Sequence, residues 1–151
     1  MKRDPNSHER KRSLGHLLGL ASRLLRDRLS ANLAEAGYQL TATESIVMAH
    51  LHHHEGLTQR EIGDLIERDR TATTRLVDSL ESQRLVRRVH DRKDRRCNKV
   101  FLTKTGLRTV REAQHLMKMT LIEALNGAGE TQITACERVL EQVIENLTES
   151  K

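Results

Sequence analysis

The fold is decided by residues 58–106, which read TQREIGDLIERDRTATTRLVDSLESQRLVRRVHDRKDRRCNKVFLTKTG. Thr58 stands three residues before Glu61, which is the spacing of a capping box, and it predicts a short helix. Asp69 is a suitable N-cap for a second helix that extends to about Gln83. Two short helices in close succession are typical of a helix-turn-helix.

The spacing of apolar residues changes after the second helix. Residues 85–89 and 99–102 are rich in β-branched and aromatic side chains and predict two short strands. The charged run between them, residues 91–96, is too polar for anything but an exposed loop. Two strands joined by a charged turn form a hairpin, and a hairpin directly after a helix-turn-helix is a wing.

Helices are predicted on both sides of this module. Apolar residues from Leu14 to Leu33 recur at three- and four-residue steps, and the helix that they define should stop near Gly37. Thr41 opens another capping box before the helix-turn-helix, and Thr103 caps a long helix after the hairpin. We therefore predict the α+β class, mainly α, with a flexible basic arm at 1–12, dimerisation helices at 13–39 and 104–151, and a winged helix-turn-helix DNA-binding module at 40–103.

The composition favours an oligomer with a polyanionic partner. The 151 residues suit one compact domain, but only 36% of them are apolar, and Tyr38 and Phe101 are the only aromatic residues. Such a thin core suits helices that complete their burial against a second subunit. The formal net charge of +5 favours nucleic acid or an anionic membrane as the partner. No apolar stretch approaches the ~20 residues that span a bilayer, so we expect no membrane partner.

The beginning of the chain and its cysteines indicate the compartment. No apolar signal region follows the charged N-terminus, which argues against secretion. Cys97 and Cys136 lack the spacing of a metal or redox pair, and they predict no disulfide framework. We therefore expect a cytoplasmic protein.

The positive charge is concentrated on the predicted module. Residues 68–96 contain ten basic and five acidic side chains, a local net charge of +5 that equals the charge of the whole chain. Such a concentration is what a phosphate-binding surface requires. Recognition helices place their first residues against base edges, and arginine suits the narrow minor groove. The candidate DNA-binding residues are Arg70, Thr71, Thr73, Thr74 and Arg75 on the helix, and Arg92, Lys93, Arg95 and Arg96 on the wing.

The ordered set of motifs resembles the MarR family of regulators, and the resemblance covers nearly the whole chain. It is carried by LTQREI at 57–62, TTRLVDSLE at 73–81, LVRR at 85–88, DRR at 94–96 and LTKTG at 102–106. The family usually has glycine at the turn after the recognition helix, whereas this chain has Arg84. A left-handed turn at a residue other than glycine costs on the order of 1 kcal/mol.

The resemblance implies a transcriptional regulator that acts as a homodimer on a pseudo-palindromic operator in double-stranded DNA. Of repression and activation, it favours repression. It implies that Arg75 contacts the DNA, that Asp94 orients the wing by pairing with arginine, and that Arg96 or its neighbour Arg95 enters the minor groove. Release by a small-molecule effector that binds between the dimerisation helices and the winged module is a further hypothesis. No cofactor and no enzymatic activity are expected.

Three alternative functions depend on particular residues. His50 and His54 are four residues apart and would share a helical face, so a zinc-responsive regulator is one alternative and a metal-dependent hydrolase is another. A winged module that binds protein instead of DNA is the third. Cys97 beside Arg95 and Arg96 suggests a redox role, because positive charge lowers a thiol pKa. The plainer interpretation of the histidines is a favourable interaction with a helix C-terminus.

Overall fold

The computed structural model describes residues 6–54, 56–90 and 98–148, and of residues 6–12 the backbone only. It has six helices and three strands in these ranges: α1 (Asn6–Glu35), α2 (Ala42–His53), β1 (Leu57–Thr58), α3 (Gln59–Ile66), α4 (Arg70–Ser82), β2 (Val86–His90), β3 (Asn98–Leu102), α5 (Lys104–Ala124) and α6 (Glu130–Thr148). The mainly helical winged class predicted from the sequence is confirmed.

The first helix begins earlier than predicted. Residues 6–12, which we expected to belong to a flexible arm, form the first turns of α1. Charge and a lack of apolar periodicity do not prevent a helix there, because Glu9, Arg10, Lys11 and Arg12 all have high helix propensity.

Local capping determines where the central helices begin. Thr41 and Thr58 both form capping boxes: each threonine hydroxyl accepts from a backbone N–H three residues on, and the glutamate at that position accepts from the threonine N–H. The Asp69 carboxylate accepts from Ala72 N at 2.8 Å and opens α4. These three starts are the ones that the sequence predicts.

A three-stranded antiparallel sheet of order β1-β3-β2 supports the wing. The paired residues run from Val86 opposite Leu102 to His90 opposite Asn98, so the two wing strands are in full register. The two-residue strand β1, which the sequence analysis missed, pairs Leu57 with Val100.

The base of the wing is attached closely to the start of α5. Thr103 donates its backbone N–H to the Leu85 carbonyl at 3.0 Å and its hydroxyl to the Arg84 carbonyl at 2.7 Å. A Cβ added to Gly106 would lie 2.0 Å from the same Leu85 carbonyl oxygen. Only glycine permits this approach, so Gly106 fixes how near α5 comes to the wing.

The chain divides into two compact units, residues 1–120 and 121–151. The first unit holds one apolar core, to which all five helices α1 to α5 and the strands β2 and β3 contribute. The second unit contains the last residues of α5 and the whole of α6, and α6 has no buried residue. Within the described part of the chain, no helix combines the length and the apolar character that crossing a bilayer requires. The buried apolar core consists of Leu29, Leu33, Leu40, Ala42, Val47, Met48, Leu51, Ile62, Val77, Leu80, Leu85, Val86, Val100, Val110 and Ala113.

Candidate nucleic-acid interface

The exposed face of α4 presents arginine and threonine at its first two turns. Arg70, Thr71 and Arg75 are all exposed, as a surface that reads DNA requires. The opposite face carries Val77 and Leu80 into the core. The helix is therefore held by its apolar face while its polar face remains free for a ligand.

Thr73 does not belong to this exposed face. The sequence analysis included it among the DNA-binding candidates, but only 1% of the residue is exposed. Its hydroxyl donates to the Asp69 carbonyl at 2.9 Å, and it packs where Gly63 lets α3 approach α4. Thr73 lies four residues before Val77, on the same helical face, and that spacing was the available signal for its burial.

Thr74 is half-buried and has a different set of contacts. Its hydroxyl donates to the Arg70 carbonyl at 2.8 Å and accepts from the Gln59 side-chain amide at 3.1 Å. The hydroxyl proton is thus already used within α4. A base would meet the methyl group of Thr74 or the remaining lone pair of its oxygen.

A groove of about 620 Å³ opens between α3 and α4. Three arginines line it, which gives it a positive potential suited to a phosphate or another anion. Asp64 is the single carboxylate among the lining residues. The groove is lined by Thr58, Gln59, Arg60, Gly63, Asp64, Arg68, Arg70, Thr73, Thr74 and Asn98.

The start of α3, which contributes Thr58 and Gln59 to this groove, also carries a carboxylate with a lowered pKa, that of Glu61. The Thr58 backbone N–H and hydroxyl both donate to the Glu61 carboxylate, at 2.7 Å and 2.8 Å. These hydrogen bonds favour the ionised form and lower the pKa of Glu61 below its ordinary value. The carboxylate thus holds the cap of α3 while it is ionised.

Arg88 is taken out of the positive surface by ion pairs. Its guanidinium pairs with Asp78 at 2.6 Å and also with Glu81, and both carboxylates belong to α4. Desolvation opposes its charge, but the hydrogen bonds that it donates to Asp78 and Glu81 outweigh it and raise the pKa of Arg88. The local charge derived from the sequence therefore overstates what DNA would meet, because Arg88 is already neutralised.

Two other arginines of the module differ from each other in their surroundings. Arg87 lies over the Phe101 ring, with its guanidinium carbon 5.5 Å from the ring centroid. Arg84 follows α4 with φ of +58°, the left-handed conformation that the comparison with the family's glycine predicts. Its neighbour Leu85 donates to the Leu80 carbonyl at 3.0 Å, so the turn closes in spite of the missing glycine.

The tip of the wing lies outside the described residues. The predicted contacts of Arg92, Lys93, Arg95 and Arg96, and the orienting role of Asp94, therefore stay predictions, as does the redox role of Cys97. Among the described residues, the last of β2 and the first of β3, His90 and Asn98, are paired directly.

The histidines on which the metal hypothesis depends lie at the C-terminal end of α2. The helix α2 ends at His53, and His54 is an extended C-cap whose backbone N–H donates to the His50 carbonyl at 3.1 Å. The rings of His52 and His53 are 5.4 Å apart, and within the described part of the chain the buried Nδ1 of His52 has no hydrogen-bond partner. Among the described residues, no group of three or more histidine, cysteine or acidic side chains is arranged to hold a metal ion.

The chain is similar to one family of proteins and to several solved structures. Residues 38–96 match the model of the MarR family. The chain is 30% identical to transcriptional regulator PA3341, whose crystal structure it matches with a TM-score of 0.78 over 90% of this chain and 98% of that one. It is 24% identical over 130 residues to the uncharacterized HTH-type transcriptional regulator YybA of Bacillus subtilis (strain 168), which covers 83% of this chain and 85% of that protein.

One structural match was crystallised with a ligand. A mutant of MarR from E. coli, complexed with operator DNA, is similar with a TM-score of 0.78 and 23% identity, over 87% of this chain and 93% of that one. At this level of identity the match establishes the common fold.

Proposed function

This chain belongs to the MarR family of winged-helix transcriptional regulators, and on that premise we propose that it is a repressor that binds a pseudo-palindromic operator in double-stranded DNA as a homodimer. The observation that carries the proposal is the exposed polar face of α4, where Arg70, Thr71 and Arg75 stand free of the core beside a hairpin. The operator complex of the E. coli relative supports duplex DNA as the ligand.

Each residue of the exposed face has a chemical role in this proposal. Arg75 projects into the major groove, where its fork of donors suits the O6 and N7 atoms of guanine. Arg70 neutralises a phosphate at the start of the helix, and Thr71 offers a hydroxyl and a methyl group to a base edge. Thr74 contributes its methyl group. On the wing, Arg96 or its neighbour Arg95 enters the minor groove, and Asp94 orients the wing by pairing with arginine. Arg92 and Lys93 add positive charge to the DNA-binding surface.

The homodimer is supported by apolar side chains that the single chain leaves exposed. In α6 these include Ile144 and Leu147, which are 60% and 71% exposed, and in α1 they include Leu14 and Leu17. Large exposed apolar side chains that recur on helices are typical of subunit interfaces. A two-fold axis would give the protein two recognition helices and the operator two related half-sites.

An effector would act by preferring one conformation of the dimer. A small molecule releases the repressor only if it binds the DNA-competent and the DNA-incompetent conformations with different affinity. The relatives are named transcriptional regulators, which supports a non-enzymatic role. We place the protein in the cytoplasm, where bacterial operator DNA is found.

The proposal is tested by selecting tight-binding duplexes from a random pool. We expect an inverted repeat whose half-sites lie about one helical turn apart. We also expect affinity to fall steeply with salt, because arginine–phosphate contacts release counterions. Arg75→Ala should lower affinity for the selected site by about 1–3 kcal/mol and relax the preference at one base pair.

Arg138→Ala is the matched control, because Arg138 is an exposed arginine on α6, outside the winged module. It should leave both affinity and preference close to those of the wild type. Enrichment of no sequence, together with equal behaviour of both variants, would refute DNA recognition by α4.

A further inference from the structure

One side chain of the wing connects three elements of the module. Arg88 lies on β2, and its Nη2 donates to Asp78 Oδ1 at 2.6 Å, while its Nη1 pairs with Glu81. Its Nε donates to the Gln59 side-chain carbonyl of α3 at 3.3 Å. The backbone N–H of Arg88 also donates to Glu81 Oε1 at 3.2 Å. Four hydrogen bonds thus run from one residue of the wing to α3 and α4.

The connection continues into the face that is proposed to meet the DNA. The other side-chain atom of Gln59, its Nε2, donates to the Thr74 hydroxyl at 3.1 Å. Thr74 is one residue before Arg75 and hydrogen-bonds back to the Arg70 carbonyl. A continuous chain of hydrogen bonds therefore joins the first strand of the wing to the first turns of the recognition helix.

Direct attraction to DNA does not account for this cluster. Asp78, Glu81 and Arg88 together carry a net charge of −1, which repels phosphate. The Arg88 side chain is only 20% exposed, and its donors are occupied by α3 and α4. Charge-assisted hydrogen bonds in such a partly buried setting are strong and directional. The cluster is suited to holding one element against another.

We propose that Arg88 is a positioning residue: by joining β2 to Asp78 and Glu81 of α4 and to Gln59 of α3, it sets the angle between the wing and the recognition helix so that both engage one DNA duplex together. The inference rests on the proposed function, because the angle matters only if both parts contact DNA. Misplacing the wing by an ångström or two would carry its arginines out of the minor groove.

The main test is a double-mutant cycle that pairs Arg88→Met with Arg96→Ala, with affinity for the selected operator as the measurement. In the wild-type background, Arg96→Ala should weaken binding about tenfold or more, because a minor-groove arginine is lost. In the Arg88→Met background, the same change should weaken binding less than about twofold, because the wing is no longer held in place. Additive losses would overturn the inference.

Arg87→Met supplies the matched control for the cycle. Arg87 is the neighbouring arginine on β2, but it contacts Phe101 instead of α4. Its loss and the loss of Arg96 should therefore add. Thermal unfolding of each variant shows whether it is folded, and Arg88→Gln replaces Arg88→Met if the latter is not. The losses caused by Arg88→Gln and Arg96→Ala should be non-additive in the same way.

A second experiment tests the sign of the effect. Asp78→Asn combined with Glu81→Gln removes two negative charges near the DNA, which by electrostatics alone should tighten binding. Positioning by Arg88 predicts the reverse, a loss of about fivefold or more, because the ion pairs that hold the wing are gone. Tighter binding overturns the inference. If the wild type binds no duplex, the proposed function fails and the inference with it, whereas additive losses in a binding protein refute the inference alone.

Discussion

The helices α4 and α6 are both amphipathic, yet they differ in what they bury. The 13 residues of α4 bury Thr73, Val77 and Leu80 against their own chain. The 19 residues of α6 bury none, although the helix carries Val139, Val143 and other large apolar side chains. The winged module thus completes its core within one subunit, while the apolar face of α6 lies open in the single chain. In the proposed homodimer, stability of the module and assembly of the two subunits would therefore depend on different residues.

The strongest test of this contrast places a charge on the open face of α6. We expect Ile144→Glu to raise the dissociation constant of the dimer by at least about a hundredfold, because two apolar side chains are lost and two carboxylates must be desolvated. Operator affinity should fall with it, since one half-site binds weakly alone. Analytical ultracentrifugation over a dilution series measures the dissociation constant.

Thr134→Glu is the matched control for this experiment. Thr134 lies on the polar side of α6, so the same charge there should leave the dimer intact. An Ile144→Glu dimer as tight as the wild-type dimer would show that α6 does not form the subunit interface. The proposed difference in role between α4 and α6 would then be refuted.

Truncation of one leucine in each helix separates folding from assembly. Leu80→Ala in α4 should lower the free energy of unfolding by about 2–5 kcal/mol, because it leaves a cavity in the core. The dimer dissociation constant under native conditions should hardly change. Leu147→Ala in α6 should do the opposite, with a weaker dimer and a subunit core that is unaltered.

Urea unfolding and dilution experiments on the same samples provide both quantities. Leu80 is fully buried and Leu147 is 71% exposed, so equal effects of the two truncations on either quantity would contradict the division of roles. Val77→Ala is a milder change in the same core, and it should act in the same direction as Leu80→Ala.

Local chemistry made most of the fold predictable from the sequence. The helix starts at Thr41, Thr58 and Asp69 follow from side chains within three residues of the cap, and the stop near Gly37 follows from the φ of +85° that glycine tolerates. The β-branched and aromatic side chains that mark β2 and β3 are an equally local signal. Such signals are complete in the sequence, because both partners lie in one short window.

The features that escaped prediction depend on partners far apart in the chain. Arg88 reaches Gln59, 29 residues away, and so was counted as a free positive charge. The strand β1 exists because residues 57–58 pair with β3. Burial of Thr73 depends on the approach of α3 at Gly63. The exposure of Arg70, Thr71 and Arg75 agrees with the sequence interpretation, whose DNA contacts stay predictions.

A smaller effect is expected where α4 ends. Arg84 has φ of +58°, which costs a side chain with a Cβ about 1 kcal/mol. Arg84→Gly should therefore raise the free energy of unfolding, by up to about 1 kcal/mol. Ser82→Gly, two residues earlier and still within the helix, should lower it by about 0.5–1 kcal/mol, since glycine weakens a helix interior.

The two glycine variants differ in sign because the backbone is left-handed at Arg84 and helical at Ser82, whose hydroxyl also loses its hydrogen bond to the Ser79 carbonyl. Urea unfolding measures both. A loss of stability in Arg84→Gly would mean that contacts of the arginine side chain outweigh the strain of the turn. The Arg84 side chain would then stabilise the end of the recognition helix by a contact that the structure does not display.

The smallest effect concerns capping, in which the two regions also differ. The module begins α3 with a capping box, whereas α6 follows Gly129, which has no side chain to offer.

Because the pKa of Glu61 is lowered in the folded state, the stabilisation that its carboxylate gives the folded protein is fully present above the ordinary pKa of 4.5 and is lost as the pH falls through the lowered value. Glu61→Gln should therefore cost roughly 0.3–1 kcal/mol at pH 7, within the range of an exposed charge at a helix start, and this cost should shrink as the pH falls through the lowered pKa of Glu61. Glu67→Gln at the other end of α3 should be neutral or slightly stabilising at pH 7, since a negative charge is unfavourable there. A difference between wild type and Glu61→Gln that stays constant from pH 7 to pH 3 would show that the carboxylate acts through its shape and hydrogen bonds instead of its charge.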